Sequence, residues 1–165
     1  MNKMVIGVLL ACVVSCVGDA GAESEMSQAS VELSVVPLSH FDLSWIGTQK
    51  ECESRALRVL TEAIRKARKD PDYRFFVDNT YMLYQYVMLR PEQLEVVKRL
   101  VKAGQLEINP QWGMPHTDDN VGESNVRNIF YAKKFVMENF GVDPVVLSYT
   151  DLPEWMVQTP QILRG

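Results

Sequence analysis

Segments typical of strands alternate with segments typical of helices, and this alternation constrains the fold more than any other feature of the chain. Runs rich in β-branched and aromatic residues, typical of strands, occupy residues 31–38, 73–77, 106–109 and 143–149. Helical patterns lie between them, at residues 48–70, 80–89, 91–104 and 122–139. The resulting order, β-α-β-α-α-β-α-β, predicts an α/β fold built on a parallel sheet or a partial β/α barrel.

The predicted first helix carries clear signals at both ends. Thr48 and Glu51 have the spacing of a capping box, and Asp70-Pro71-Asp72 stops the helical pattern. Apolar residues recur at helical spacing between these ends and form one stripe: Cys52, Ala56, Leu60, Ala63, Ile64 and Ala67. Such a stripe is typical of a helix with one buried face.

Length and charge narrow the class of protein. The chain has 165 residues, which suits one compact domain. Its 17 Lys and Arg against 21 Asp and Glu give a net charge of −4, with no long basic run. A nucleic-acid partner is not expected, because such proteins carry a basic surface that neutralises phosphates.

The N-terminus has the pattern of a secretory signal. Lys3 precedes the apolar residues 4–17, a run too short for a membrane span of about 20 residues. Cleavage after Ala20-Gly21-Ala22 makes residues 1–22 the signal peptide and residues 23–30 a polar tether. Alternatively, Val13-Val14-Ser15-Cys16 is similar to a bacterial lipobox, in which Cys16 anchors the protein to a membrane. Both readings predict an exported protein, either periplasmic, at the cell surface or secreted.

Residues with metal-binding chemistry follow the first and last predicted strands. His40 and Asp42 come directly after the first strand, and their i, i+2 spacing lets both side chains point to one side. Asp151 follows the fourth strand, and parallel strands end at a common edge. An imidazole with carboxylates suits zinc. A turn or helix-cap hydrogen bond is the alternative for the His-x-Asp pair, and an Asx turn is the alternative for Asp151.

The order of several motifs resembles glycoside hydrolase family 38, the α-mannosidases. The resemblance begins with the His-x-Asp-x-x-Trp motif of His40, Asp42 and Trp45. Further matching motifs follow in the family's order: Trp112 with Pro115, Gly122-Glu123-Ser124 with Arg127, Phe140-Gly141 with Pro144, Asp151, and Pro160-Gln161-Ile162-Leu163. The match covers residues 31–165.

The resemblance implies a zinc-dependent retaining α-mannosidase that acts on terminal mannosides of glycans. It implies that His40, Asp42 and Asp151 bind Zn²⁺ and that Asp151 is also the catalytic nucleophile. Trp45, Trp112 and His116 correspond to residues beside the sugar. The fold implied is the first part of a larger, seven-stranded β/α catalytic domain, with the general acid and the fourth zinc ligand beyond this chain. The 165 residues alone are therefore expected to be inactive.

Two loops depart from the family pattern and leave other functions open. Leu152 and Pro153 follow Asp151 where many relatives have Pro-Asp-x-Phe-Gly, and Trp112 leads into Gly-Met-Pro-His116 where bacterial relatives have Trp-x-Glu-Pro-Asp. These loops line the sugar site, so we expect divergent specificity. The alternatives are a carbohydrate deacetylase-like metal hydrolase and a non-catalytic glycan-binding lipoprotein.

We expect mass spectrometry of the exported protein to find Glu23, or a lipid-modified Cys16, as the first residue. The change Cys16→Ala separates the two routes, because only lipidation requires the thiol. An exported protein that still begins at Met1 would contradict the prediction.

Overall fold

The computed structural model describes residues 35–42, 45, 47–114, 122–151 and 157–164. Its elements, in chain order, are α1 (Gln49–Ala67), β1 (Phe75–Val77), α2 (Thr80–Leu89), a 3-10 turn (Pro91–Gln93), α3 (Leu94–Lys102), β2 (Leu106–Ile108), α4 (Gly122–Phe140) and α5 (Thr159–Arg164). Helices separate the two parallel strands, so the predicted α/β class is confirmed.

Helix α1 has the ends and the buried face that the sequence predicts. The Glu51 backbone N donates to Thr48 Oγ1 at 3.3 Å, and the Thr48 backbone N donates to Glu51 Oε2 at 2.8 Å, which completes the capping box. All six residues of the predicted stripe are buried. This face packs against α2 and α3.

Strand β1 lies between two parallel neighbours. On one side it pairs with β2, with Phe75 opposite Leu106. On the other side Leu38 forms a parallel bridge to Phe76, whose backbone N donates to Pro37 O at 2.9 Å. Alternate backbone groups of a strand point to opposite sides, which allows β1 both partners. The three segments therefore run in one direction, and their carboxyl ends lie along one edge.

One apolar core joins the helices to the strands. Val77, Leu106 and Ile108 of the strands are buried together with apolar side chains of α1, α2, α3 and α4. Two helices end at a glycine in the left-handed conformation, Gly104 (φ 67°) after α3 and Gly141 (φ 71°) after α4. Gly104 is the last residue of the helical pattern predicted for residues 91–104, and Gly141 follows shortly after the pattern predicted for residues 122–139.

The predicted fourth strand, residues 143–149, is wrong. These residues are described throughout, and none of them belongs to a strand. The backbone of Ser148 bonds instead to the side chain of Asn109, through N at 3.2 Å and O at 2.7 Å. Val145, which the pattern places in a strand, is 79% exposed. The segment has β-branched residues, but the described chain supplies amide side chains rather than a strand as its partner.

The predicted first strand, residues 31–38, is only partly within the described chain. Residues 35–38 contribute one bridge, at Leu38, rather than a strand. Val35 and Val36 are 59% and 43% exposed, so their apolar character does not reflect burial in a sheet.

The predicted signal peptide and tether, residues 1–22 and 23–30, lie outside the described residues, as does Cys16. Among the described helices, none combines the length and the apolar character needed to cross a membrane. Cys52 is buried in the core with a free thiol.

The replacement Asn109→Ala tests the amide contacts at the end of β2. Asn109 is fully buried, and its Nδ2 donates to the carbonyl oxygens of Asp78 at 2.8 Å and Ser148 at 2.7 Å. Losing these donors should lower the free energy of unfolding by about 2–3 kcal/mol, measured by urea unfolding.

Asn139→Ala is the matched control for this variant. It removes one hydrogen bond, from Asn139 Nδ2 to Phe135 O at 2.8 Å, from a half-buried position on α4. We expect a loss of about 1 kcal/mol or less. Equal losses in the two variants would contradict a special role for Asn109.

Candidate functional site

Polar residues follow all three parallel segments where those segments end. His40 comes two residues after Leu38, Asp78 directly follows β1, and Asn109 directly follows β2. The segments are parallel, so these residues share one edge. This edge is the place where α/β proteins form binding sites.

The imidazole of His40 has carboxylates on both sides. Nε2 lies 3.1 Å from Asp42 Oδ1 and 4.0 Å from Asp151 Oδ2. Nδ1, on the opposite side of the ring, lies 3.3 Å from Asp78 Oδ2. The structure thus brings His40 close to both carboxylates that the sequence proposes as metal ligands, and it adds a third.

The exposure of these side chains increases from the core outwards. The exposed fraction is 0% for Asp78, 22% for His40, 36% for Asp42 and 84% for Asp151. The Nε2 side of the imidazole therefore faces the more open part of the site, and the Nδ1 side faces the protein interior.

The surrounding carboxylates raise the pKa of His40. The largest cause is the interaction with Asp78, whose Oδ2 lies beside Nδ1; it outweighs the opposite effect of burial, and the charges of Asp78, Asp42 and Asp151 act in the same direction. The imidazole is therefore a basic ligand, and a metal ion bound at Nε2 must displace a proton.

Asp151 is held near His40 by contacts made three residues earlier in the chain. Ser148 O accepts hydrogen bonds from Asn109 Nδ2 at 2.7 Å and from Gln111 Nε2 at 3.0 Å, and Ser148 N donates to Asn109 Oδ1. Asp151 itself has φ 54°, in the left-handed region that Asp and Asn enter more readily than other side chains. Two buried amides thus hold the segment that carries this carboxylate.

The donor atoms around His40 Nε2 are of the types that zinc accepts. Zinc binds imidazole nitrogen and carboxylate oxygen at about 2.0–2.2 Å, which separates neighbouring ligand atoms by roughly 3–4 Å. The distances from Nε2 to Asp42 and Asp151, 3.1 and 4.0 Å, agree with that separation. Within the described residues, however, no group of three His, Cys, Asp or Glu side chains is arranged so that it could hold a metal ion. A four-coordinate zinc would also require a further ligand.

The predicted sugar-binding residues differ in their surroundings. Trp45 is 83% exposed. Trp112 lies among aromatic rings, with centroid distances of 5.3 Å to Tyr84 and 5.9 Å to Phe135. His116 lies outside the described residues. Their role in binding a sugar stays a prediction.

Asp78 and Asn109 are site residues that the sequence analysis missed. Both directly follow a strand, and the strand-end rule that selects His40 and Asp151 selects them equally. Asp78 also follows the predicted strand of residues 73–77, so the rule finds it without a structure. Asn109 is the last residue of the predicted strand 106–109, and only the observed end of β2 at Ile108 places it after a strand.

Comparison with known proteins assigns the chain to a family. Residues 30–165 match the family described as glycosyl hydrolases family 38, N-terminal domain. This match confirms the resemblance seen in the order of motifs.

Individual relatives agree with the match. The chain is 29% identical over 131 residues to a probable α-mannosidase of Arabidopsis thaliana, covering 70% of this chain and 12% of that protein. It is 28% identical over 132 residues to a putative mannosylglycerate hydrolase of Halalkalibacterium halodurans, covering 78% of this chain and 15% of that protein. The chain thus spans about one seventh or less of the length of these relatives.

The fold of a solved structure agrees with the family match as well. The crystal structure of an α-mannosidase from Enterococcus faecalis V583 superimposes with a TM-score of 0.72 at 30% identity, over 78% of this chain and 15% of that one. Sequence motifs, fold and relatives lead to the same assignment: the chain belongs to glycosyl hydrolase family 38 and corresponds to part of its N-terminal domain.

Proposed function

We propose that the complete protein is a zinc-dependent, retaining α-mannosidase that removes terminal mannose from glycans. The observation that carries the proposal is the position of His40 Nε2 between two carboxylates, 3.1 Å from Asp42 and 4.0 Å from Asp151. Membership of a glycosidase family and relatives called α-mannosidases support the choice of reaction.

In this proposal His40, Asp42 and Asp151 hold the zinc ion. When bound, zinc orients two neighbouring hydroxyl groups of the sugar and favours distortion of the ring. The protein's own part is to keep His40 Nε2 and both carboxylates directed at the ligand position.

Asp151 is the proposed nucleophile. Its carboxylate oxygen attacks the anomeric carbon, the bond from that carbon to the leaving oxygen breaks, and a glycosyl ester on Asp151 results. Water then hydrolyses the ester, and the anomeric configuration is retained. The 84% exposure of the Asp151 side chain leaves its carboxylate open to a sugar. A second carboxylic acid protonates the leaving oxygen, and the resemblance places that acid beyond this chain.

The substrate side of the site is proposed to include Trp45 and His116. An exposed indole such as Trp45 offers an apolar face on which a sugar ring can stack. Trp112, packed among Tyr84 and Phe135, is better suited to form the wall of the pocket. The relative called a putative mannosylglycerate hydrolase adds small mannosides to the substrates worth testing.

We also propose that the enzyme acts outside the cytoplasm. The support is the N-terminal pattern of residues 1–22, with Cys16 as a possible point of lipid attachment.

The change Asp151→Asn tests the nucleophile. An amide attacks poorly, so kcat of the complete protein on an aryl α-mannoside should fall by about 10³-fold or more. The matched control is Asp143→Asn in the same segment, which removes only a half-exposed ion pair to Lys133 Nζ at 2.7 Å. Its kcat should stay close to wild type, because exposed pairs contribute about 0–1 kcal/mol. Wild-type turnover by Asp151→Asn would make Asp151 an ordinary turn residue.

A mechanism-based glycosyl fluoride distinguishes the proposal from a deacetylase-like hydrolase. A retaining glycosidase becomes labelled at Asp151, and peptide mass spectrometry locates the label. Release of acetate from an acetylated sugar without any label would favour the deacetylase, in which a metal-activated water attacks directly.

The change His40→Ala tests the metal site separately from the nucleophile. Loss of the imidazole should weaken zinc binding by about 100-fold or more, as measured by competition with a chromophoric chelator. Part of the activity should return at high zinc concentration, because Asp151 is still present. Unchanged zinc content in this variant would contradict the assignment of His40 as a ligand.

A further inference from the structure

Asp78 is the most buried charged group of the site. It follows β1 directly, and its side chain is fully buried. Its Oδ2 accepts a hydrogen bond from the Phe41 backbone N at 2.9 Å. A buried carboxylate is strongly unfavourable unless donors surround it, so the groups that face Asp78 indicate what it does.

The second group that faces Asp78 is the imidazole of His40. Asp78 Oδ2, the same oxygen that accepts from Phe41, lies 3.3 Å from His40 Nδ1. The other oxygen, Oδ1, is buried and has no hydrogen-bond partner among the described residues, and His40 Nδ1 is buried beside Oδ2 without a hydrogen bond of standard geometry. The Asp78 carboxylate is thus directed at the segment of residues 40 and 41 rather than at a lysine or arginine.

The position of Asp78 decides how the His40 ring is oriented. The Asp78 carboxylate lies 3.3 Å from Nδ1, and Nε2, on the other side of the ring, lies between Asp42 and Asp151. Both nitrogens have carboxylates beside them, but only Nε2 faces the open part of the site. Asp78 cannot reach that side, because it lies across the ring.

We propose that Asp78 is the positioning residue of this site, orienting the His40 ring from the Nδ1 side so that Nε2 is directed at the position between Asp42 and Asp151 where a metal ion would bind. The inference rests on the proposed metal site and extends it to a residue that contacts neither the ion nor a sugar. Carboxylates that accept the second N–H of a ligating histidine fix the ring and increase its basicity, and their loss weakens metal binding by about 10–100-fold.

A purely structural role for Asp78 is the competing explanation. Its bond to the Phe41 N–H also ties the loop of residues 39–42 to the end of β1. Asn79, the next residue, allows the two roles to be separated. It is equally buried, and its side chain caps α2 by accepting from the Met82 N–H at 2.9 Å. Asn79→Ala therefore disturbs the same part of the fold without touching His40.

The first experiment measures the affinity of the complete protein for zinc by competition with a chromophoric chelator. Asp78→Ala should weaken binding by about 10–100-fold. Asp78→Asn should lose less, because its amide oxygen can take the place of Oδ2 beside His40 Nδ1. Asn79→Ala should bind within about twofold of wild type, although losing the cap costs about 1 kcal/mol of stability.

The second experiment observes the His40 ring with zinc bound. Nitrogen-15 spectra of histidine-labelled, zinc-loaded protein, assigned with His40→Ala, should show Nε2 as the metal-bound nitrogen in wild type. Asp78→Ala should allow binding through either ring nitrogen, whereas Asn79→Ala should leave Nε2 as the bound nitrogen. A stability defect alone does not move this signal.

The outcomes separate the two proposals. A wild-type protein that takes up no zinc overturns the proposed metal site. A wild-type protein that binds zinc, with Asp78→Ala equal to it or Asn79→Ala equally impaired, overturns the positioning role of Asp78. The same role is overturned when His40 in Asp78→Ala still binds zinc through Nε2 alone, as in wild type.

Discussion

The parallel alignment of Leu38 with β1, and of β1 with β2, positions the whole site, because each segment delivers the next residues of the chain to one edge. The paired stretches are short, and the helices packed on them complete the core. The apolar side chains of the strands pack into this core and so stabilise the alignment. The residues that follow these paired segments are His40, Asp78 and Asn109. The apolar core fixes their positions, so they do not need to make apolar contacts themselves.

That arrangement places several polar side chains inside the protein. Asp78, Asn109 and Gln111 are all buried at this edge, and Gln111 Oε1, like Asp78 Oδ1, has no hydrogen-bond partner among the described residues. Each such atom costs about 1–3 kcal/mol. A chain selected for stability alone would replace them with apolar residues, so their presence here agrees with a site where binding and catalysis set the requirements.

The segment that carries Asp151 shows how the fold can place a carboxylate at the site without a strand. Asn109 and Gln111 hold the backbone at Ser148, and the chain then turns outwards through the left-handed conformation of Asp151. His40 is oriented differently, by the buried carboxylate of Asp78. The Asp151 side of the site thus depends on two amides that hold the backbone at Ser148. The His40 side depends on a carboxylate that orients the imidazole ring.

The sequence by itself determined the local elements and the family. The Thr48 capping box, the apolar stripe of α1 and the glycines that end α3 and α4 all depend on residues close together in the chain, and the ordered motifs identified family 38. Tertiary structure decided that residues 143–149 form no strand, because β-propensity produces a ladder only where a neighbouring strand is available. It also decided that Asp78 faces His40 Nδ1, a contact between residues 38 positions apart that only the pairing of Leu38 with β1 creates.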